Sequence, residues 1–307
     1  MNFKAGFAAI LGRPNAGKST LVNRLVGQKV AIVSPKPQTT RNRIQGIVNR
    51  EDAQIVLIDT PGIHKPENEL GRQMMDEVRQ ALESLDVLLL IVDAKAEFGG
   101  GDRYALELVK SAKAPALLLL NKVDAIAKER LLPLIERYSK EHEFAEMIPI
   151  SALTGDGLEI VLREVVKRLP ENPPYFPPEQ YTDQPERFLA AEIVREKAIV
   201  ASRQEVPYAI AVLVDNFEES EKLIRIRATI YVERDGQKGI LIGKGGSMLK
   251  KIGTEARLEL EQILGTKIFL ELYVKVQENW RDRPGLVKQL DWHRQLEKMS
   301  ERQGSDS

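Results

Sequence analysis

The stretch Gly12-Arg13-Pro14-Asn15-Ala16-Gly17-Lys18-Ser19 constrains this chain more than any other. It reads G-x-x-x-x-G-K-S and follows the apolar run 7–11, the pattern of a buried strand passing through a tight turn into a helix. Glycines at both ends free successive backbone N–H groups to close around phosphate oxygens. The helix opening near Lys18 adds the positive end of its dipole, and the Lys18 ammonium reaches the β and γ phosphates. The Ser19 hydroxyl is then a ligand for Mg2+. Taken alone, the motif fits ATPases, GTPases and kinases equally.

Apolar runs at 7–11, 55–58, 87–92, 116–120 and 147–150 alternate with segments of helical spacing at 70–85, 104–112, 131–138 and 158–169. This order predicts an α/β domain with a mostly parallel sheet covered by helices on both faces. Asp102 and Asp156 are candidate helix starts. Ligands of such a sheet sit beyond the carboxyl ends of its strands, and each motif falls at such a place. Residues 30–43 are polar and broken by proline, as a surface loop requires. Its Thr40, with Thr39 as the alternative, is the hydroxyl expected to join the Mg2+ shell when a γ-phosphate orders the loop. Asp59-Thr60-Pro61-Gly62 ends the run 55–58. The Asp59 carboxylate can hold Mg2+ through water, and the Gly62 N–H can meet the γ-phosphate and report its loss. The next residue is Ile63, where many GTPases place a glutamine that orients the attacking water. Water positioning must then come from elsewhere: His64, backbone groups or a partner.

Asn121-Lys122-Val123-Asp124 follows the run 116–120. A carboxylate accepts both N1–H and N2–H2 of guanine in a bidentate pair that adenine cannot offer, which makes Asp124 the specificity residue. Asn121 either ties this loop to the phosphate loop or meets the purine edge, and the Lys122 stem covers one face of the base. At Ile150-Ser151-Ala152 the Ala152 N–H is a candidate donor to guanine O6.

The chain has 307 residues, room for about two domains. It has no cysteine, which excludes disulfides, thiolate zinc sites and cysteine nucleophiles. Its longest apolar run, 87–92, is too short for a helix that crosses a bilayer, and the N-terminus lacks the order of a secretory signal, so the expected compartment is the cytoplasm. Formal net charge is zero, so any case for nucleic-acid binding must rest on a local patch.

Pro170, Pro173, Pro174, Pro177 and Pro178 predict a stiff extended linker over 171–185, between domains at 1–170 and 186–285. The second domain opens with a helical segment at 186–203 and two strand-like runs, 209–214 and 222–232. Then Gly243-Lys244-Gly245-Gly246 supplies G-x-x-G between helical segments, with a closing strand at 267–276. This resembles the arrangement by which KH domains clamp about four nucleotides of single-stranded RNA. Lys244, Lys250 and Lys251 provide phosphate-neutralising charge, and 234–251 carries five basic residues against one acid. Pro284-Gly285 is expected to break any regular element, and residues 291–307 to form a solvated, frayed helix or a disordered tail.

The ordered series GRPNAGKS, QTTR, DTPG, NKVD and ISA is similar to the translation-factor-related class of P-loop GTPases. With SPKPQTTRNRIQG and GKGGSMLKKIG it resembles the Era family over residues 1 to about 285. The resemblance implies a P-loop GTPase domain followed by a smaller α/β type II KH domain. It implies GTP and GDP as ligands with Mg2+, and activation by K+ where an asparagine stands at the position of Asn15. The implied catalytic set is Asn15, Lys18, Thr40 and Gly62. It further implies binding to the 3′ end of 16S ribosomal RNA, a role in 30S subunit maturation, and a monomer that can sit peripherally at the inner face of the membrane. Family members also lack the catalytic glutamine, as Ile63 does. An RNA-binding scaffold with a nearly static nucleotide and an ATPase are the alternatives from other classes.

Overall fold

The computed structural model describes residues 2–202 and 206–292, which form two compact units. The first holds the described residues up to 65 together with 73–183, and the second holds 66–72 and the described residues from 184 onward.

The first unit is built on a six-stranded sheet in the order β2-β3-β1-β4-β5-β6. Its strands are β1 (Lys4–Leu11), β2 (Ile44–Asn49), β3 (Ala53–Asp59), β4 (Val87–Asp93), β5 (Ala116–Asn121) and β6 (Glu146–Pro149). All neighbours are parallel except β2, which pairs antiparallel with β3. The apolar runs are continuous because both faces are buried. Along β4, Val87, Leu89 and Ile91 enter one core cluster while Leu88, Leu90 and Val92 enter the other. Helices α1 (Lys18–Val26) and α5 (Leu158–Arg168) cover the first face. Helices α2 (Glu69–Ala81), α3 (Gly100–Ser111) and α4 (Leu131–Ser139) cover the second. Strand β2 was not expected from the sequence: its six residues follow a polar loop, and Gly46 interrupts their pattern.

Asp102 lies in the first turn of α3, where Oδ2 accepts the Gly99 N–H at 2.8 Å. Asp156 does not start α5. Its carboxylate takes the Thr154 hydroxyl at 2.8 Å, and Gly157 in the left-handed region leads the helix.

The stretch read as a stiff extended linker is, through Thr182, bonded to the edge of the first unit. Lys4 and Glu171 form a β-bridge, as do Gly46 and Thr182, and Ile47 N–H donates to the Tyr181 carbonyl at 2.9 Å. Buried Gln54 donates to Phe176 O at 2.8 Å and accepts the N–H groups of Tyr175 and Phe176 at 2.7 and 3.0 Å. Prolines lack only a donor, so the segment's remaining polar groups still need partners, and the open side of β2 supplies them together with Lys4 and Gln54 at the starts of β1 and β3.

In the second unit, β7 (Ala211–Ser220) pairs antiparallel with β8 (Leu223–Val232), which pairs parallel with β9 (Lys267–Val276). Helices α6 (Glu186–Ala201), α8 (Asp235–Ile242) and α9 (Ser247–Leu264) bury one core with this sheet, and α7 (Val206–Ala209) is a single turn. Pro284 does not end an element; it opens α10 (Pro284–Gln289) at the first helical turn, where a missing N–H costs nothing. The expected solvated tail is also corrected at its start. Asp291 and Trp292 are buried, and Trp292 packs on Phe188 with ring centroids 5.6 Å apart. Residues 293–307 of that tail, and residue 203 of the first helical segment, lie outside the described residues.

Candidate functional site

Residues 12–17 form the turn between β1 and α1, and Pro14, Asn15, Gly17, Lys18 and Ser19 line a cleft of about 420 Å³. Gly17 has φ of 106°, and a Cβ there would meet Asn121 Nδ2 at 2.2 Å, so both conformation and space demand glycine. A Cβ on Gly12 would meet the Ile91 carbonyl oxygen at 2.4 Å. Asn15 takes a left-handed conformation at φ 63° and stands exposed at the rim, donating from Nδ2 to Pro35 O at 3.1 Å. Lys18 is buried and folds back over the loop, donating to Gly12 O at 3.2 Å and Arg13 O at 3.1 Å. Burial pulls its ammonium down to about 8, with partial opposition from Asp59. Arg13 is tied to α3 by Asp102 at 2.9 Å. Pro14 lies against Gly62, whose Cβ would come 2.9 Å from Pro14 Cα. Ala16 is buried and offers its carbonyl to Asn121.

Three oxygen-bearing side chains meet beside Lys18. Ser19 Oγ lies 2.8 Å from Thr40 Oγ1 and donates to Asp59 Oδ2 at 2.7 Å, and the Thr40 hydroxyl reaches the same oxygen at 3.4 Å. Thr39 points elsewhere, donating to Lys36 O at 2.7 Å. Asp59 is fully buried, which raises its carboxyl to about 6 against the pull of Lys18, Ser19 and Thr40. Its Oδ1 is buried with no hydrogen-bond partner among the described residues. A buried acceptor left unsatisfied next to two hydroxyls is the donor set of a hard divalent cation that completes its shell with water and phosphate oxygens.

Thr60 donates its hydroxyl to Ile10 O at 2.7 Å, and with Pro61 it carries the chain to Gly62. Ile63 donates its N–H to Gly12 O at 3.1 Å while its side chain is buried in the core cluster under α2. The side chain is therefore turned away from the cleft. His64 Nδ1 donates to Gly62 O at 2.8 Å.

At the end of β5, Asn121 spans two loops: Nδ2 donates to Ala16 O at 2.8 Å and Oδ1 accepts the Ala152 N–H at 2.9 Å. Of the two roles considered for Asn121, the structure displays the tie to the phosphate loop. It also alters the expectation for Ala152, whose N–H is engaged by Asn121 rather than open toward a base. Buried Ser151 accepts the Thr154 N–H through Oγ at 3.1 Å. Lys122 takes φ of 68°, and Val123–Ala125 form a single 3-10 turn that leaves Asp124 exposed. The Lys122 ammonium contacts Asn15 O at 2.7 Å and Asp93 Oδ2 at 2.6 Å. Sequence reasoning missed Asp93, and it read Asp102 as a helix start without its tie to Arg13. Each lies far from the motif it supports, and a single aspartate at a strand end or helix start carries no signal of its partner.

In the second unit, residues 243–246 link α8 to α9 with Gly243, Gly245 and Gly246 at φ of 71°, 60° and 78°. A Cβ on Gly243 would strike Met248 Cβ at 2.8 Å, whereas Gly245 and Gly246 face open space. Lys244, Lys250 and Lys251 are exposed. A groove of about 340 Å³ runs from Gly246 past Lys250, Gly253, Thr254 and Arg257, with Leu249, Leu270 and Leu272 as its apolar wall. Sequence reasoning named the loop and lysines but not Arg257 or the leucines. The spacing Lys250, Gly253/Thr254, Arg257 was the available signal, since it sets these residues on one helical face. The arrangement offers backbone and cations to a sugar-phosphate chain and an apolar wall to its bases.

Family models agree with this division. One described as a 50S ribosome-binding GTPase matches residues 7–122, and one described as a KH domain matches residues 205–281. Among solved structures, an Aquifex aeolicus Era variant bound to GDP·AlF4− is 44% identical with a TM-score of 0.91, covering 94% of this chain and 99% of that one. Era in complex with MgGDPNP and nucleotides 1506–1542 of 16S ribosomal RNA gives the same identity and TM-score over 94% and 98%. Likeness at this level over both units, with a phosphate loop and a G-x-x-G loop in the expected places, means that the chain belongs to the Era family of GTPases.

Proposed function

We propose that this protein is a GTP-hydrolysing switch that binds the 3′ end of 16S ribosomal RNA through its second unit and acts in maturation of the 30S subunit. The observation that carries the reading is the convergence of Lys18, Ser19, Thr40 and Asp59, whose Oδ1 is left unpaired among the described residues, at the mouth of the glycine turn. The two Era complexes, one with a GDP-based transition-state mimic and one with 16S RNA, support it. A ribosomal partner implies a cytoplasmic location. Peripheral contact with the membrane rests on the family resemblance alone; among the described residues no helix is long and apolar enough to cross a bilayer.

The residues divide the work as follows. The turn at 12–19 binds phosphates with backbone N–H groups and the start of α1. Lys18 exchanges its carbonyl partners for phosphate oxygens, and that negative charge sustains the ammonium which burial disfavours. Ser19 and Thr40 would hold Mg2+ directly and Asp59 through water. The ion, when bound, neutralises charge building on the transferred phosphoryl oxygens. Thr40 brings the 34–43 loop with it, so the loop is ordered while the γ-phosphate is present and released when water has converted GTP to GDP and phosphate. Gly62, which lines the cleft, would offer its N–H to the γ-phosphate. Asp124 accepts from N1–H and N2–H2 of guanine, Asn121 holds its loop to the phosphate turn, and the Lys122 stem lies on the base. Lys244, Lys250, Lys251 and the glycines between them clamp RNA phosphates.

Because Ile63 is turned into the core, neither it nor a glutamine orients the attacking water. Asn15 bears on charge rather than on the water: its amide meets the Pro35 carbonyl at the rim, and the two side-by-side oxygens would suit a K+ that supplies a catalytic cation beside the phosphates. We expect K+ to stimulate hydrolysis over Na+, and Asn15→Ala to abolish the stimulation while GTP still binds, as read by phosphate release and by fluorescent-nucleotide titration. Equal rates in both salts, with and without ribosomal RNA, would favour a second reading, an RNA scaffold with a static nucleotide, which buried Ile63 also fits.

A further inference from the structure

The Lys122 ammonium is held at two points, and only one belongs to the phosphate turn. Asn15 O accepts at 2.7 Å, while Asp93 Oδ2 forms an ion pair at 2.6 Å with both side chains partly shielded, 24% and 33% exposed. Asp93 closes β4 and stands in register with Asn121 across the parallel β4–β5 pair, so the chain turns at Lys122 immediately beside it. The carboxylate is oriented before the lysine reaches it. Its Oδ1 accepts the Lys95 N–H at 2.9 Å, and Ala94 N–H ties the same turn to Asn121 O at 2.8 Å. Lys122 in turn adopts φ of 68°, a conformation unfavourable to a residue with a side chain, which persists only where surrounding contacts impose it.

We propose that Asp93 is a positioning residue for guanine-nucleotide binding: it clamps Lys122 in the left-handed turn, which sets the lysine stem as a wall for the base and holds the 3-10 turn bearing Asp124. The inference rests on the guanine-nucleotide reading above. A neutral carbonyl alone leaves a long, strongly hydrated ammonium free to sample solvent, whereas a charge-assisted pair with a pre-oriented carboxylate selects one arrangement. Binding then requires less ordering of the loop. Asp93 touches the base loop and not the Ser19, Thr40 and Asp59 cluster, so its contribution is the same for GDP and GTP.

The test uses Asp93→Asn, which retains an acceptor for Lys95 N–H and removes the charge. Stopped-flow release of fluorescent GDP and GTP analogues from the full chain should accelerate about tenfold for both. KM for GTP should rise while kcat at saturation stays level. In a cycle with Lys122→Met, the double variant should be no worse than Lys122→Met alone. Thermal unfolding without nucleotide reports whether the fold is kept, and an equally folded Asp93→Asn with wild-type release rates overturns the proposal. So does a fall in kcat at constant KM, or additivity with Lys122→Met. If the wild-type protein itself fails to prefer guanine over adenine nucleotides, the reading of the site falls first. If it keeps that preference and Asp93→Asn changes nothing, only the clamp falls.

Discussion

Asp124 shows how much one exposed carboxylate can decide. It is held on a single 3-10 turn, and its chemistry, two acceptors facing two donors, follows from the N-K-x-D pattern alone. Asp124→Asn replaces an acceptor by a donor, so preference should move from guanine toward xanthine by about a hundredfold or more in competition between GDP and XDP. Asp183 was not legible at all. Burial raises its carboxyl to about 6, and its Oδ1 lacks a hydrogen-bond partner among the described residues. In the unfolded chain the group ionises near its ordinary value of 3.8, so between about 4 and 6 the folded state binds more protons. Ionised Asp183 therefore costs stability that is absent below pH 4 and fully expressed above pH 6. Asp183→Asn should raise the melting temperature at pH 7, a gain of about 1–3 kcal/mol that fades as pH falls to 4, measured by thermal scans across that range.

Among the elements, the parallel strands were legible because burial on both faces leaves no polar alternation to interpret. Edge strand β2 and the chain bonded along it were not. Their pairing joins residues more than a hundred positions apart, such as Ile47 with Tyr181 and Asn49 with Pro178, and nothing local in 171–182 announces a partner. Gln54 uses its amide for three bonds to backbone groups of that chain. Gln54→Ala leaves partly buried peptide groups without their protein partner and should cost about 1–3 kcal/mol, seen as a lowered urea midpoint for the first unit. The short helix α10 makes the same point: Pro284-Gly285 reads as a breaker, yet proline at a first helical turn is compatible with the helix that follows.

For the molecule as a whole, a neutral chain hides a local basic strip, and only folding shows that the strip borders an apolar-walled groove. If that groove takes single-stranded RNA, Lys250→Ala and Lys251→Ala should weaken binding across sequences. Each should also flatten the salt dependence by about 0.7 in the slope of log affinity against log salt. Fluorescence anisotropy with a labelled 16S 3′-end oligonucleotide at several KCl concentrations measures both. The order of motifs determined by itself the fold class, the phosphate turn, the base loop and the RNA loop, because each is chemistry packed into a few adjacent residues with fixed backbone demands. Tertiary structure alone decided which threonine joins Asp59, that Ile63 turns inward, that Asn121 engages Ala152, and that Asp93 and Asp102 anchor the site. Those choices depend on where distant chain segments are brought within hydrogen-bonding distance, and such distances are a property of the packed sheet and not of local spacing.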